Sequence, residues 1–264
     1  MKWNKYTKLF QITLQNSIAY RVDFAMGILS GIIPLAVQIL LWSNIYSVNQ
    51  YDTIRGYSLP RILSYILVAI VISKIIQASV YPAIAQEIKS GTLSKYLAKP
   101  LDHQIYWLVS ELGGKILFTI AAFILLVTVL FFTGLGISAI TLLVGALVLV
   151  QALLISFFIY YLLALLSFWF LEVSQIFTAF GLISTFLSGG MIPIDFFPDF
   201  LQKLLVFLPF KYIIYFPITL FTTNLERNYV MTNLAFQFFW VILLFFAGRL
   251  MWFVGERRYS AFGG

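Results

Sequence analysis

Apolar residues fill the chain in long blocks separated by short polar or turn-forming stretches, and the length of the blocks carries the structural signal. No charge occurs from about Phe24 to Tyr46. A second block runs from about Arg61 to Tyr81, with Lys74 its one internal charge, and a third, entirely uncharged, runs from Ile116 to Leu171. Blocks of this length exceed the roughly 20 residues that a helix needs to cross a bilayer. They lack the strict polar/apolar alternation of a membrane barrel. The third block holds two spans, broken at Thr133-Gly134-Leu135-Gly136, where glycines permit a tight turn. Its second half, Ala139 to Phe170, is long enough to tilt or protrude. A fifth span follows Glu172 and reaches Ser188, and a sixth covers about Tyr229 to Val254.

Between and before the spans the pattern changes. Trp3, Tyr6, Phe10, Leu14 and Ile18 recur at helical spacing, with Lys5, Lys8, Gln11 and Gln15 on other faces, which predicts an interfacial helix over 1–22. Pro82 to Gly114 is the one markedly charged region between spans, carrying Glu87, Lys89, Lys95, Lys99, Asp102 and Glu111; the loop proper is placed at 82–104. From Gly189 to Asn228, Pro193, Pro198, Pro209 and Pro217 cut the apolar text into pieces too short to cross, predicting a re-entrant or interfacial helical hairpin over 189–228. The expected fold is thus a single all-α integral membrane domain, 1–264, with six transmembrane helices.

Composition agrees and adds exclusions. Charged residues make up 10% of the chain and hydrophobic ones 61%, whereas a soluble domain carries roughly a quarter charged residues. With no cysteine, disulfides and thiolate metal sites are excluded. The first 23 residues lack the compact apolar core and cleavage site of a signal peptide. The net charge of +7 reads as anchoring charge, not as a nucleic-acid footprint. Under a six-span topology one side collects Lys2, Lys5, Lys8, Arg21, Lys89, Lys95, Lys99, Lys115, Arg249, Arg257 and Arg258, against Arg55, Arg61, Lys203, Lys211 and Arg227 on the other. The first side, holding both termini and the 82–104 loop, is the predicted cytoplasmic one.

Reactive chemistry is scarce. The single histidine, His103, reads as a solvated loop residue, and no acid lies near the centre of a predicted span. Paired intramembrane carboxylates, a Ser/His dyad and a zinc ligand set are all missing, so catalysis and bound metal are not expected. Lys74 alone could serve ion coupling, and its long chain can equally snorkel to the interface. No phosphate loop occurs; Gly113-Gly114-Lys115-Ile116, the nearest text, lacks the earlier glycine and the final hydroxyl. ATP can drive this protein only through a partner.

Two local patterns sharpen the functional expectation. Glu87-Ile88-Lys89-Ser90-Gly91-Thr92-Leu93, followed by Leu97, Lys99, Pro100 and Leu101, combines a turn-forming glycine with an apolar ridge at Leu93 and Leu97 and register-setting charges. Gly189-Gly190-Met191-Ile192-Pro193-Ile194-Asp195-Phe196-Phe197-Pro198, followed by Leu208-Pro209, places Asp195 and Pro198 as the opening of a short helix and Pro209 at a bend. In this order along the topology, the patterns resemble the permeases of the second exporter class of ATP-binding-cassette (ABC) transporters, the type V fold, in the six-span branch often encoded as paired permeases.

The resemblance implies a non-catalytic permease subunit of a bacterial cytoplasmic membrane. ATP and Mg would be held by two separate ATPase subunits, and the second permease would be identical or paralogous. Glu87, Lys89, Gly91, Leu93, Leu97 and Pro100 would form the ATPase-coupling element, and Gly189, Gly190, Pro193, Asp195, Pro198 and Pro209 the outer gate and hairpin. Trp42, Phe177, Phe180 and Phe186 would line the path of a hydrophobic, lipid-like or cationic compound, with Glu111 and Glu172 at its cytoplasmic entrance. The alternative is an ion-coupled carrier or channel that works without an ATPase.

Overall fold

A computed structural model describes residues 3–19, 31–49, 51–93, 101–132, 138–170, 172–223 and 225–258. The described residues form helices joined by turns, with one isolated bridge between Ile54 and Tyr57. In chain order the α-helices are α1 (Trp3–Ala19), α2 (Ile32–Asn49), α3 (Leu59–Ile76), α4 (Tyr81–Lys89), α5 (His103–Phe132), α6 (Ala139–Leu165), α7 (Ser174–Leu187), α8 (Asp199–Phe207), α9 (Tyr215–Thr222) and α10 (Arg227–Glu256). Short 3₁₀ turns follow α6 (Leu166–Phe168) and flank α8 (Ile194–Phe196 and Pro209–Tyr212).

Four stretches are long and apolar enough to cross a membrane by length and composition: Leu59–Lys89, His103–Phe132, Ala139–Phe168 and Arg227–Glu256. Ile32–Val48 and Ser174–Leu187 are apolar but shorter. The protein is therefore a multi-pass membrane protein, and its apolar surface follows from that. Phe131, Phe132, Ile140, Leu143, Phe238, Phe246 and Leu250 all stand exposed where a soluble protein would place polar groups.

The core forms where α3, α6 and α9 meet. Ile62, Tyr65, Val68, Ile72 and Ile75 of α3 and Val148, Ala152, Ile155 and Phe157 of α6 are buried in one core, with α9 buried from Tyr215 to Phe221 against both helices. Gly145 lets α9 approach α6, because a Cβ there would overlap the Phe221 ring. Gln237 of α10, fully buried, donates from Nε2 to Val148 O and Tyr212 O, each at 3.0 Å, tying α10 to α6 and to the hairpin. At membrane depth such a side chain must find partners inside the protein.

The contacts define two ends. At one, α4 meets the starts of α5 and α7 and the close of α6; at the other, the 51–58 loop meets the turn after α7 and the α8–α9 hairpin. Two expectations need correction here. Helix α5 begins at His103, so Glu111, Gly113, Gly114 and Lys115 are helical, not part of a charged loop. His103 is buried, not solvated: Trp107 Nε1 donates to its Nε2 at 3.1 Å, its Nδ1 lies 2.9 Å from Tyr161 Oη, and Trp252 stacks on the ring at 4.0 Å. With Nε2 accepting, the ring proton sits on Nδ1 and is donated to Tyr161. Helix α1 packs along α5, and Tyr6 Oη accepts the Asp102 backbone N–H at 3.1 Å. Asp102 caps α5 through the Ile105 N–H at 2.9 Å and pairs with Arg249 of α10, so one residue gathers α1, α5 and α10.

Candidate functional site

Helix α4 is short because its entry is a break. The chain leaves α3 at Gln77 and re-enters a helix at Tyr81, with Pro82 in the first turn, where a missing N–H is harmless. The N–H groups left at the break are satisfied from α5. Glu111, 1% exposed, accepts from Ser79 N at 3.1 Å, Ser79 Oγ at 3.0 Å and Val80 N at 3.0 Å, and holds Lys115 at 2.7 Å. Its negative charge lies at the positive end of the α4 dipole. Glu111 thus joins α4 to α5.

Beyond the break, α4 turns Ile84, Ala85 and Ile88 inward and leaves Ala83, Gln86 and Ser90 exposed at i, i+3 and i+7, a single face. Gly91, at φ +76°, takes the chain out of the helix in the left-handed region. Leu93 is fully buried, so it anchors the segment and offers no outward ridge. Leu97 and Pro100 lie outside the described residues. Glu87 is half-buried with Oε2 4.0 Å from His103 Nε2. Lys89 Nζ reaches Glu172 Oε2 at 3.4 Å, which brings one expected coupling residue against one expected pathway residue. The sequence pattern begins at Glu87 and leaves out Ala83 and Gln86; only the helical phase of the buried positions finds them.

Glu172 precedes α7 and accepts from the Ser174 hydroxyl at 2.5 Å and the Ser174 N–H at 3.0 Å. Those bonds, then Lys89, hold its carboxyl down at about 2. A depressed folded-state value means that its contribution is complete above the ordinary value of 4.5 and disappears as pH falls toward 2. The side chain is mostly exposed, so the effect is small. The melting-temperature difference between the parent chain and Glu172→Gln is expected to persist at neutral pH and to shrink between pH 4.5 and pH 2. A difference independent of pH would remove this assignment.

At the opposite end, Ile54 and Tyr57 exchange both backbone hydrogen bonds at 2.9 Å across Arg55 and Gly56, whose φ values of +51° and +80° make a tight mirror-image turn. Tyr57 Oη donates to Asp195 Oδ2 at 2.5 Å, and Tyr215 Oη reaches Oδ1 at 2.8 Å and Oδ2 at 2.9 Å. Burial, reinforced by the Asp195 carboxylate, pushes the Tyr57 hydroxyl well above its ordinary value, so it stays a donor. Asp195 therefore does not open a helix as expected, because its carboxylate is committed to two tyrosines; α8 starts at Asp199, with Pro198 just before it. Pro193 precedes one 3₁₀ turn and Pro209 opens the other. Gly189 adopts φ +83°, and both Gly189 and Gly190 are crowded by neighbours.

The aromatic candidates fall into two groups. Trp42 is buried edge-on to Phe196 at 5.4 Å, and Phe186 lies 4.9 Å from Phe197, so both border the Ile194–Phe196 turn. Phe177 meets Tyr81 at 4.7 Å, Tyr81 stacks on Tyr160 at 4.6 Å, and Tyr160 meets Phe180 at 5.8 Å, a separate cluster where α4, α6 and α7 converge. An apolar groove of about 250 Å³ between α3, α5 and α6, lined by Ile75, Phe123 and Leu149 among others, contains none of these candidates. Among the described residues no three His, Asp or Glu side chains converge as metal ligands do.

Residues 32–263 match the ABC-2 family transporter protein family, a range that takes in α2 to α10. The chain belongs to the ABC-2 family. A comparison with curated proteins finds no match. As an ABC-2 permease it is a transmembrane transporter component, and membership implies association with ABC ATPase subunits.

Proposed function

We propose that this ABC-2 permease forms half of the path of an ATP-driven exporter and receives the ATPase stroke through α4. The observation that carries the reading is the division of α4 into a buried face fixed by Glu111 and an exposed face of Ala83, Gln86 and Ser90. A short helix held rigidly inside and free outside suits transmission of a push from a docked partner. Glu87, Lys89 and Gly91 set the orientation and exit of this element. In the six-crossing arrangement, α2, α3, α5, α6, α7 and α10 alternate in direction, with α4 on the cytoplasmic side and the α8–α9 hairpin outside, in a bacterial cytoplasmic membrane. Helix α7, with 14 residues, is about 21 Å long, so its crossing is completed by the Ser188–Gly190 turn and the hairpin beneath which it ends.

Two such permeases, identical or paralogous, would meet with two ATPases below, ATP and Mg being bound by the ATPases. Closing the ATPase pair moves α4, and the movement does work only if the two permease states differ in free energy. Trp42, Phe177, Phe180 and Phe186 suit an apolar, lipid-like or flat cationic cargo. Family membership leaves the ion-coupled alternative without support. The test is docking: Ala83→Trp together with Gln86→Trp is expected to cut the co-purifying ATPase at least tenfold while membrane insertion and melting temperature stay unchanged. Undiminished co-purification would remove α4 from the docking surface.

A further inference from the structure

The end of α7 is held by a short chain of hydrogen bonds that leads back to one carboxylate. Ser188 is fully buried, and its carbonyl accepts the Tyr215 backbone N–H at 2.9 Å. The next carbonyl, Gly189 O, accepts Tyr65 Oη at 2.6 Å. The turn is thus gripped between α3 and α9, so closely that a Cβ on Gly189 would stand 2.8 Å from Tyr65 Oη and 3.1 Å from Tyr215 Cβ. Tyr215, which covers it, is fixed at its far tip by Asp195. The second ligand of Asp195, Tyr57, belongs to the loop before α3, and that loop is pinned to α2 by Tyr46 Oη donating to Tyr57 O at 2.6 Å. The Gln202 amide fixes the turn that carries Asp195, donating to Asp195 O at 3.1 Å and Phe197 O at 2.8 Å.

We infer that Asp195 is the pin of a releasable clasp that keeps the end of α7 closed against α3 and the hairpin, and that the clasp opens whenever the path opens at this end. The donors on the carboxylate are neutral phenols from two separate elements, the 51–58 loop and α9. Because the phenols are neutral, releasing one to water strands no buried cation, whereas parting a buried ion pair would leave both charges without partners. Bonds to an ionised acceptor are nevertheless stronger than neutral ones, so the closed state is held firmly until a force is applied. Linking the opening to transport rests on the exporter reading; the clasp itself does not.

The absence of cysteine makes the test direct. Ser188→Cys introduces the sole thiol of the chain at a position with no solvent access, as a near-isosteric change. In intact cells it is expected to react slowly with a membrane-impermeant thiol reagent, and at least tenfold faster when combined with Asp195→Asn or, as a gentler variant, Tyr215→Phe. Tyr57→Phe should accelerate it as well. Ser184→Cys, one turn further in and also buried, serves as control and is expected to stay unreactive in every background. Equal rates at Ser188→Cys with and without the clasp substitutions would overturn the proposal. So would acceleration at both positions, since that reports general loosening. Acceleration seen only with a membrane-permeant reagent would support the clasp while overturning the outward placement of the hairpin, so the two readings fail separately.

Discussion

Replacing Glu111 with alanine is expected to be among the most damaging single changes in the chain, lowering stability by about 3–5 kcal/mol, the usual result of removing one partner of a buried ion pair. Three donors at the α3–α4 break, Ser79 N, Ser79 Oγ and Val80 N, lose their acceptor at once, and Lys115 Nζ loses its counter-charge. Each buried group left unsatisfied costs about 1–3 kcal/mol, so the losses support that range without any cavity contribution. Glutamine should recover part of the loss, because its carbonyl can still accept from the break, while Lys115 remains unpaired. Glu111→Gln with Lys115→Met, which also removes the stranded ammonium, should come closest to the parent chain. The measurement is the apparent melting temperature in detergent for the three variants. An alanine variant that melts with the parent would mean that the break is satisfied some other way.

How far the sequence foretold this arrangement depends on the distance over which each feature is set. Apolar blocks are local, and α3, α6, α7 and α10 lie close to where block length and glycine or proline punctuation put them. The Gly91 turn and the proline-divided hairpin were equally legible, because a positive φ or a missing N–H restricts the backbone on the spot. What escaped were polar groups whose partners lie far along the chain. Glu111 looks like loop charge until Ser79, 32 residues away, comes to it, and His103 looks solvated until Tyr161 and Trp252 enclose it. Asp195 beside Pro198 carries the signature of a helix start, yet Tyr57, 138 positions earlier, takes the carboxylate instead. In a membrane protein this failure has a common cause: buried polar groups cannot fall back on water, so their partners are decided by the tertiary fold. Leu93 shows the converse, an apolar side chain in a charged segment that the fold turned inward.

Adjacent glycines in α5 are expected to respond with opposite sign. Alanine in a helix interior gains roughly 0.5–1 kcal/mol over glycine through the unfolded chain's entropy, and at Gly114 nothing lies within 4 Å of the added Cβ, so Gly114→Ala should stabilise by about that amount. At Gly113 the same atom would overlap Thr13 Oγ and would stand 3.1 Å from the Phe10 carbonyl oxygen and 3.2 Å from Thr13 Cβ. The Thr13 hydroxyl cannot swing aside freely, because it donates to Leu9 O and Phe10 O. The Phe10 carbonyl belongs to the α1 backbone and yields only if α1 moves. Overpacking of this kind costs about 1–3 kcal/mol, which outweighs the entropic gain, and Gly113→Leu should exceed that range and lift α1 off α5. Lys5 and Lys8 of α1 then become faster trypsin sites while α3 to α10 stay protected, a local release that proteolysis separates from unfolding. Thr13→Ala should relieve part of the Gly113→Ala penalty, giving a coupling that independent sites do not show. If both alanine variants shifted the melting temperature in the same direction, the docking of α1 at Gly113 would be wrong, and with it the convergence of α1, α5 and α10 on Asp102.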